Sequence, residues 1–229
     1  SGVLFEWNIA TGNYTKKIDF NGIEGSRPGG LTYQAGKLFG TTQWGGYNYT
    51  GSIYELQVET GLYTKKYDMS VENGSNPFGS VTKYNGKYYG ITSKGGMYNK
   101  GVIYEWDPVS NVQHKKYDLD YTSGHHPYGY LTLYNGKFYG LNEEGGDNGS
   151  GTMFEWDPAA NLYTKLVDFN GTNGSHPYGS LSVQNDVLYG LTGLGGNHGA
   201  GVIFEWNPAN RLFTKKFDFN GTNGDYPRG

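Results

Sequence analysis

One short sequence recurs along this chain and limits what the chain can fold into. Gly2-Val3-Leu4-Phe5-Glu6-Trp7 returns as Gly51-Ser52-Ile53-Tyr54-Glu55-Leu56 and Gly101-Val102-Ile103-Tyr104-Glu105-Trp106, then from Gly151 to Trp156 and from Gly201 to Trp206. Each copy leads into a Tyr-Thr-Lys-Lys-like segment, an Asp (Asp19, Asp68, Asp118, Asp168, Asp218) and a Pro (Pro28, Pro77, Pro127, Pro177, Pro227). Four copies continue to a Gly (Gly40, Gly90, Gly140, Gly190) and a Gly pair at 45–46, 95–96, 145–146 and 195–196. The spacing is 50 residues, with one residue missing after Pro28. The units 1–50, 51–100, 101–150, 151–200 and a partial 201–229 therefore form a single repeat domain. A period of this length marks supersecondary units that bury their apolar faces on one another.

Each unit holds four short β-type runs, for example Ser180–Gln184, Val187–Leu191, Val202–Trp206 and Leu212–Phe217. Turn chemistry separates them. Asn85-Gly86 and Asn135-Gly136 lie between apolar runs and signal tight hairpins. Asp107-Pro108, Asp157-Pro158 and Asn207-Pro208 start the next reversal, because proline fixes φ and holds the preceding residue extended. No segment has a 3.6-residue period, so helices should be scarce. The 39 glycines suit many tight turns, and the 17% aromatic content with a net charge of only −3 argues against disorder. Four strands per unit predict an all-β fold, a β-propeller of four-stranded blades.

The order of strands and turns resembles a kelch blade. On that analogy Leu131–Tyr134 is an innermost strand and Lys137–Gly146 holds the second, with Val102–Trp106 third and Gln113–Asp118 outermost. The lysine pairs 16–17, 65–66, 115–116 and 215–216 then lie on outer edges, where charge blunts edge-to-edge pairing. More specifically, the unit resembles the bacterial GloVer tandem repeat. The residues that carry the likeness are Gly201–Trp206, Phe169-Asn170-Gly171, Asn173-Gly174-Ser175-His176-Pro177 and Leu188-Tyr189-Gly190-Leu191-Thr192 with Gly195-Gly196. The resemblance implies an exported, secreted or cell-surface protein and brings no catalytic residue with it. The phase gives four complete blades plus an N-terminal two-stranded hairpin. It suggests a piece of a larger ring, or self-association through the incomplete blade.

The near-neutral charge argues against nucleic acid, and no apolar run is long enough to span a membrane as a helix. No cysteine is present for disulfides or thiolate metal sites. Nucleophile-elbow, phosphate-loop and dinucleotide motifs are not found, so neither an enzyme nor a cofactor is expected. The glutamates Glu6, Glu55, Glu105, Glu155 and Glu205 recur in every unit and read as parts of the scaffold. Asp168, Asn170, Asp218 and Asn220 place oxygens at alternate positions, as a calcium loop does, but Asx-type turns explain them as well. Of the five histidines (His114, His125, His126, His176, His198), His126 and His176 occupy equivalent positions one blade apart.

Departures from the repeat point to function, because loops on a rigid scaffold carry it. The segments 41–50, 91–100, 141–150 and 191–200 diverge and share one face with the long connection between blades. Trp44, Tyr47 and Tyr49 are the candidate stacking surface, extended by Tyr98, Tyr128 and Tyr178, with His126 and His176 beside it. This predicts a non-catalytic binding or adhesion module for a glycan or a surface protein. A structural spacer or filament subunit is the alternative. A polysaccharide-acting enzyme using Glu143, Glu144 and Asp147 is a third.

Overall fold

A computed structural model describes residues 1–228. Among the described residues every regular element is a β-strand. An N-terminal hairpin, β1 (Gly2–Asn8) and β2 (Asn13–Phe20), precedes four antiparallel blades. Blade one comprises β3 (Ser26–Gln34), β4 (Lys37–Trp44), β5 (Ser52–Gln57) and β6 (Tyr63–Asp68). Blade two comprises β7 (Thr82–Tyr84), β8 (Lys87–Ile91), β9 (Val102–Asp107) and β10 (Val112–Asp118). Blade three follows with β11 (Thr132–Tyr134), β12 (Lys137–Asn142), β13 (Thr152–Asp157) and β14 (Leu162–Asp168). Blade four has β15 (Ser182–Gln184), β16 (Val187–Thr192), β17 (Val202–Asn207) and β18 (Leu212–Asp218). Neighbours in sequence are neighbours in each sheet.

The expected β-propeller phase holds. Strands β3, β7, β11 and β15 meet at the axis, where the hydroxyl of Thr32 donates to Val81 O, Thr82 to Leu131 O and Thr132 to Leu181 O. The innermost strand of blade four starts at Ser182 where the sequence pattern suggests Ser180. Just before it, the Ser180 hydroxyl accepts from Tyr130 N and the Leu181 carbonyl from the Thr132 hydroxyl, both of the adjacent blade three.

The third strand reads as a nearly continuous apolar run because both of its faces are covered. Tyr104 and Trp106 pack back on Phe39 of blade one, while Ile103 packs forward with Phe138 and Trp156 of blade three. The same arrangement joins blades three and four through Tyr139, Met153, Phe169, Phe204 and Trp206. The recurring glycine of the second strand makes room for a ring. A Cβ on Gly140 would collide with the Phe154 ring directly opposite it in the ladder. The recurring glutamates serve the scaffold: Glu105 and Glu155 accept from the Tyr89 and Tyr139 hydroxyls at 2.8 and 2.6 Å.

The Lys-Lys-x-Asp signature also has a structural account. Each outermost strand pairs with its neighbour through a register shift that leaves Lys17, Lys66, Lys116, Leu166 or Lys216 as the extra residue. Such bulges and charges protect an edge from pairing. The lysine before the bulge bonds an Asp three residues on, as in Lys115–Asp118 at 2.9 Å. That Asp in turn accepts the backbone N–H just after the Gly pair: Tyr47 on Asp68, Met97 on Asp118, Asp147 on Asp168 and Asn197 on Asp218. The repeat thus fastens its own variable loop.

Candidate functional site

The loops between second and third strands and the connections between blades emerge together. Antiparallel bridges join them at Ser75–Lys94, His125–Glu144 and Ser175–Leu194. Next to each bridge is a residue with left-handed backbone: Asn76, His126 and His176 have φ of 58, 54 and 51°. Their N–H groups donate to the preceding blade's loop, on Thr50 O, Lys100 O and Ser150 O. Adjacent blades are therefore stitched across this face. The variety at these positions reflects a backbone requirement that several side chains can meet.

Two residues further along, the chain turns into the axis. The side chains at this position of four successive repeats form a connected staircase. Phe78 meets Tyr128 edge to face at 4.5 Å, Tyr128 stacks on Tyr178 at 4.7 Å, and the Arg228 guanidinium lies over Tyr178 at 4.9 Å. Blade one has Gly29 at this position, against the Phe78 carbonyl. The staircase borders an axial cavity of about 570 Å³, also lined by Thr32, Ser80, Tyr130 and Ser180. Glu143 sits beside it within electrostatic reach of Tyr128, His176 and Arg228. Burial raises the Glu143 carboxyl above its ordinary range, and the charge of Glu144 adds to this. Burial, with Glu143 adding, pushes the Tyr128 phenol up to about 12.

The sequence-derived set divides. Tyr128 and Tyr178 are at the axial mouth, with His176 nearby. Trp44 stands apart, its ring 5.5 Å from the Lys94 ammonium. Tyr47 and Tyr49, 86% and 75% exposed, flank an outer groove with Ile23 and Lys65. Tyr98 is an exposed loop residue. His126 is grouped with its neighbour His125 and with Glu144, and not with His176. Asp168 and Asp218 hold the loops as described, while the Asn170 and Asn220 side chains close their own turns on Asn173 and Asn223 N–H. Phe78 and Arg228 were not apparent from sequence patterning, although both stand at the repeat position of Tyr128 and Tyr178.

The sequence profile described as Gloeobacter/Verrucomicrobia repeat matches residues 1–132 and 110–229. No curated protein matches the chain in sequence. Among solved structures, a chain of a nidogen/laminin complex superposes with a TM-score of 0.64 at 13% identity, covering 90% of this chain and 70% of that one. TolB from Acinetobacter baumannii gives 0.62 at 13% identity, covering 95% and 49%. A puromycin-hydrolysing peptidase from Mycobacterium tuberculosis gives 0.56 at 13%, covering 90% and 30%. The chain thus spans about half of TolB and less than a third of the peptidase chain. At these identities the likeness is one of fold.

Proposed function

The chain belongs to the Gloeobacter/Verrucomicrobia repeat family, and from that premise we propose that it is a non-catalytic, extracellular or cell-surface binding module that takes a glycan at the axial mouth. The staircase Phe78–Tyr128–Tyr178–Arg228 carries this reading. Sugars present apolar C–H faces ringed by hydroxyls. A concave site with aromatic rings, a guanidinium and serine hydroxyls answers both parts of that surface. A rigid scaffold with one divergent loop face is a setting in which binding residues are found. A glycan array tests it. Wild-type protein should give a defined set of bound glycans that Tyr178→Ala loses and Trp44→Ala keeps. Binding lost only on Trp44→Ala would move the site to the outer loops, and turnover of a bound polysaccharide abolished by Glu143→Gln would make the protein an enzyme.

A second reading, a structural or filament-forming subunit, is favoured by two exposed faces. Phe5 and Trp7 of the hairpin are exposed where their counterparts in β9 and β13 are buried. Phe217 of β18 is exposed on the opposite side. Inside the chain such faces cover one another from blade to blade. If copies associate head to tail, Trp7→Asp and Phe217→Asp each give monomers alone and a one-to-one dimer when mixed, read by light scattering. Wild-type protein that stays monomeric at high concentration would remove this reading.

A further inference from the structure

One bridge on the loop face differs chemically from its sisters. At all three positions the backbone makes the same two hydrogen bonds: Ser75 with Lys94, His125 with Glu144, Ser175 with Leu194. The scaffold therefore needs no more than Ser opposite Lys or Leu. Blade three instead carries His125 and Glu144 across the bridge, with His126 next to them.

The bridge places residues 125 and 144 directly opposite, so their side chains leave on one side of the ladder. The left-handed turn at His126 (φ 54°) brings its ring to the same place, perpendicular to the His125 ring at 4.7 Å. Glu144 Oε2 lies 3.6 Å from His125 Nδ1 and 3.3 Å from His126 Nδ1. Ligand atoms around a tetrahedral ion with bonds of about 2.0–2.1 Å are separated by about 3.3–3.4 Å. The two separations from Glu144 are close to this value, and all three residues offer ligand atoms within 4.8 Å of one another.

A second observation points the same way. His125 is only 3% exposed, yet its Nδ1 has no hydrogen-bond partner. Buried polar groups are as a rule satisfied, and this nitrogen instead has the Glu144 carboxylate and the His126 imidazole as its neighbours. Glu144 and the half-buried His126 keep a path to solvent.

We propose that His125 Nδ1, His126 Nδ1 and Glu144 Oε2 bind a divalent transition ion of the zinc class. Two imidazoles and one carboxylate suit zinc better than calcium or magnesium, which take oxygen ligands. Three protein ligands leave a fourth position for water or a ligand oxygen. The site is independent of the glycan reading and stands or falls separately.

The repeat supplies its own control variants. His125→Ser and Glu144→Leu install residues that blade four carries at the same bridge, and His126→Asn installs that of blade two. Untagged protein stripped with chelator and dialysed is titrated with Zn(II) by calorimetry, and its melting is followed with and without the ion. One equivalent should bind, raising the melting temperature by roughly a few degrees at excess ion. His125→Ser should abolish both effects while melting normally in chelator, and Glu144→Leu should weaken binding at least about tenfold, as loss of a ligand does. Calcium should not substitute. Absence of zinc binding by the wild type, or equal binding by His125→Ser and Glu144→Leu, would overturn the assignment.

Discussion

Trp7 and Trp106 end the same six-residue motif in the same kind of strand, but Trp7 is 55% exposed and Trp106 is fully buried. Local structure is equal in the two places. Both strands pair antiparallel with the strand that follows, with the bulge in the same register. What differs is the neighbour: Trp106 lies against Phe39 and Tyr88, whereas β1 has a partner on one edge only. Sequence thus determines the hairpin, and stacking of blades determines the burial. A repeat array gains its stability at the interfaces between units.

The largest effect that can sharpen this contrast is on those two tryptophans. Trp106→Ala should cost about 3–5 kcal/mol in urea unfolding, the range for a buried aromatic, whereas Trp7→Ala should cost less than about 1 kcal/mol. Equal losses would mean that the hairpin is covered in solution. A smaller effect is expected at the axis. Gly129→Ala would drive its Cβ into the Gly179 carbonyl, with an expected loss of about 1–3 kcal/mol from overpacking. Removing a single axial hydrogen bond is milder still. Thr132→Val leaves the Leu181 carbonyl without its 2.7 Å donor, and about 1 kcal/mol should be lost.

The loop face allows a comparison by pH. In the unfolded chain His125 titrates at its ordinary value near 6.5, and in the folded chain only near 4. Between these values the unfolded state holds the extra proton, so stability rises with pH and is lost as pH falls from about 6.5 towards 4. Lys100, His126, Glu144 and Asp120 face the ring and set the size of the effect. Measured in chelator, wild type should lose more stability over this window than His125→Ser. Parallel curves for the two proteins would show that burial does not hold the ring neutral.

Much of the scaffold was legible in the sequence because the same local solution is written several times. The Asn-Gly turns at 85–86 and 135–136 recur in two units and the Lys-Lys-x-Asp edge in four, while the second-strand glycine that makes room for a ring, as Gly140 does for Phe154, returns in all four blades. The candidate site was legible only in part. Tyr128 and Tyr178 stood out as aromatics one unit apart. Arg228 did not, because a cation in an aromatic slot breaks the residue pattern while continuing the contact. Trp44, Tyr47 and Tyr49 are close in sequence, but the structure sets Trp44 beside Lys94 and leaves only Tyr47 and Tyr49 together on the outer groove. The His125–Glu144 pairing is invisible along the chain because an antiparallel bridge creates it. Its trace is a joint departure: these two positions read Ser with Lys in blade two and Ser with Leu in blade four.

The central claim is that the axial staircase, and not the outer loops, holds the ligand. Calorimetric titration of a glycan selected on the array, compared across Tyr128→Ala, Tyr178→Ala, Tyr47→Ala and Tyr49→Ala, tests it most directly. Each axial variant should weaken binding about tenfold or more, in line with loss of a stacking contact, while Tyr47→Ala and Tyr49→Ala bind as wild type does. Full affinity in both axial variants, or loss confined to Tyr47 and Tyr49, would contradict it.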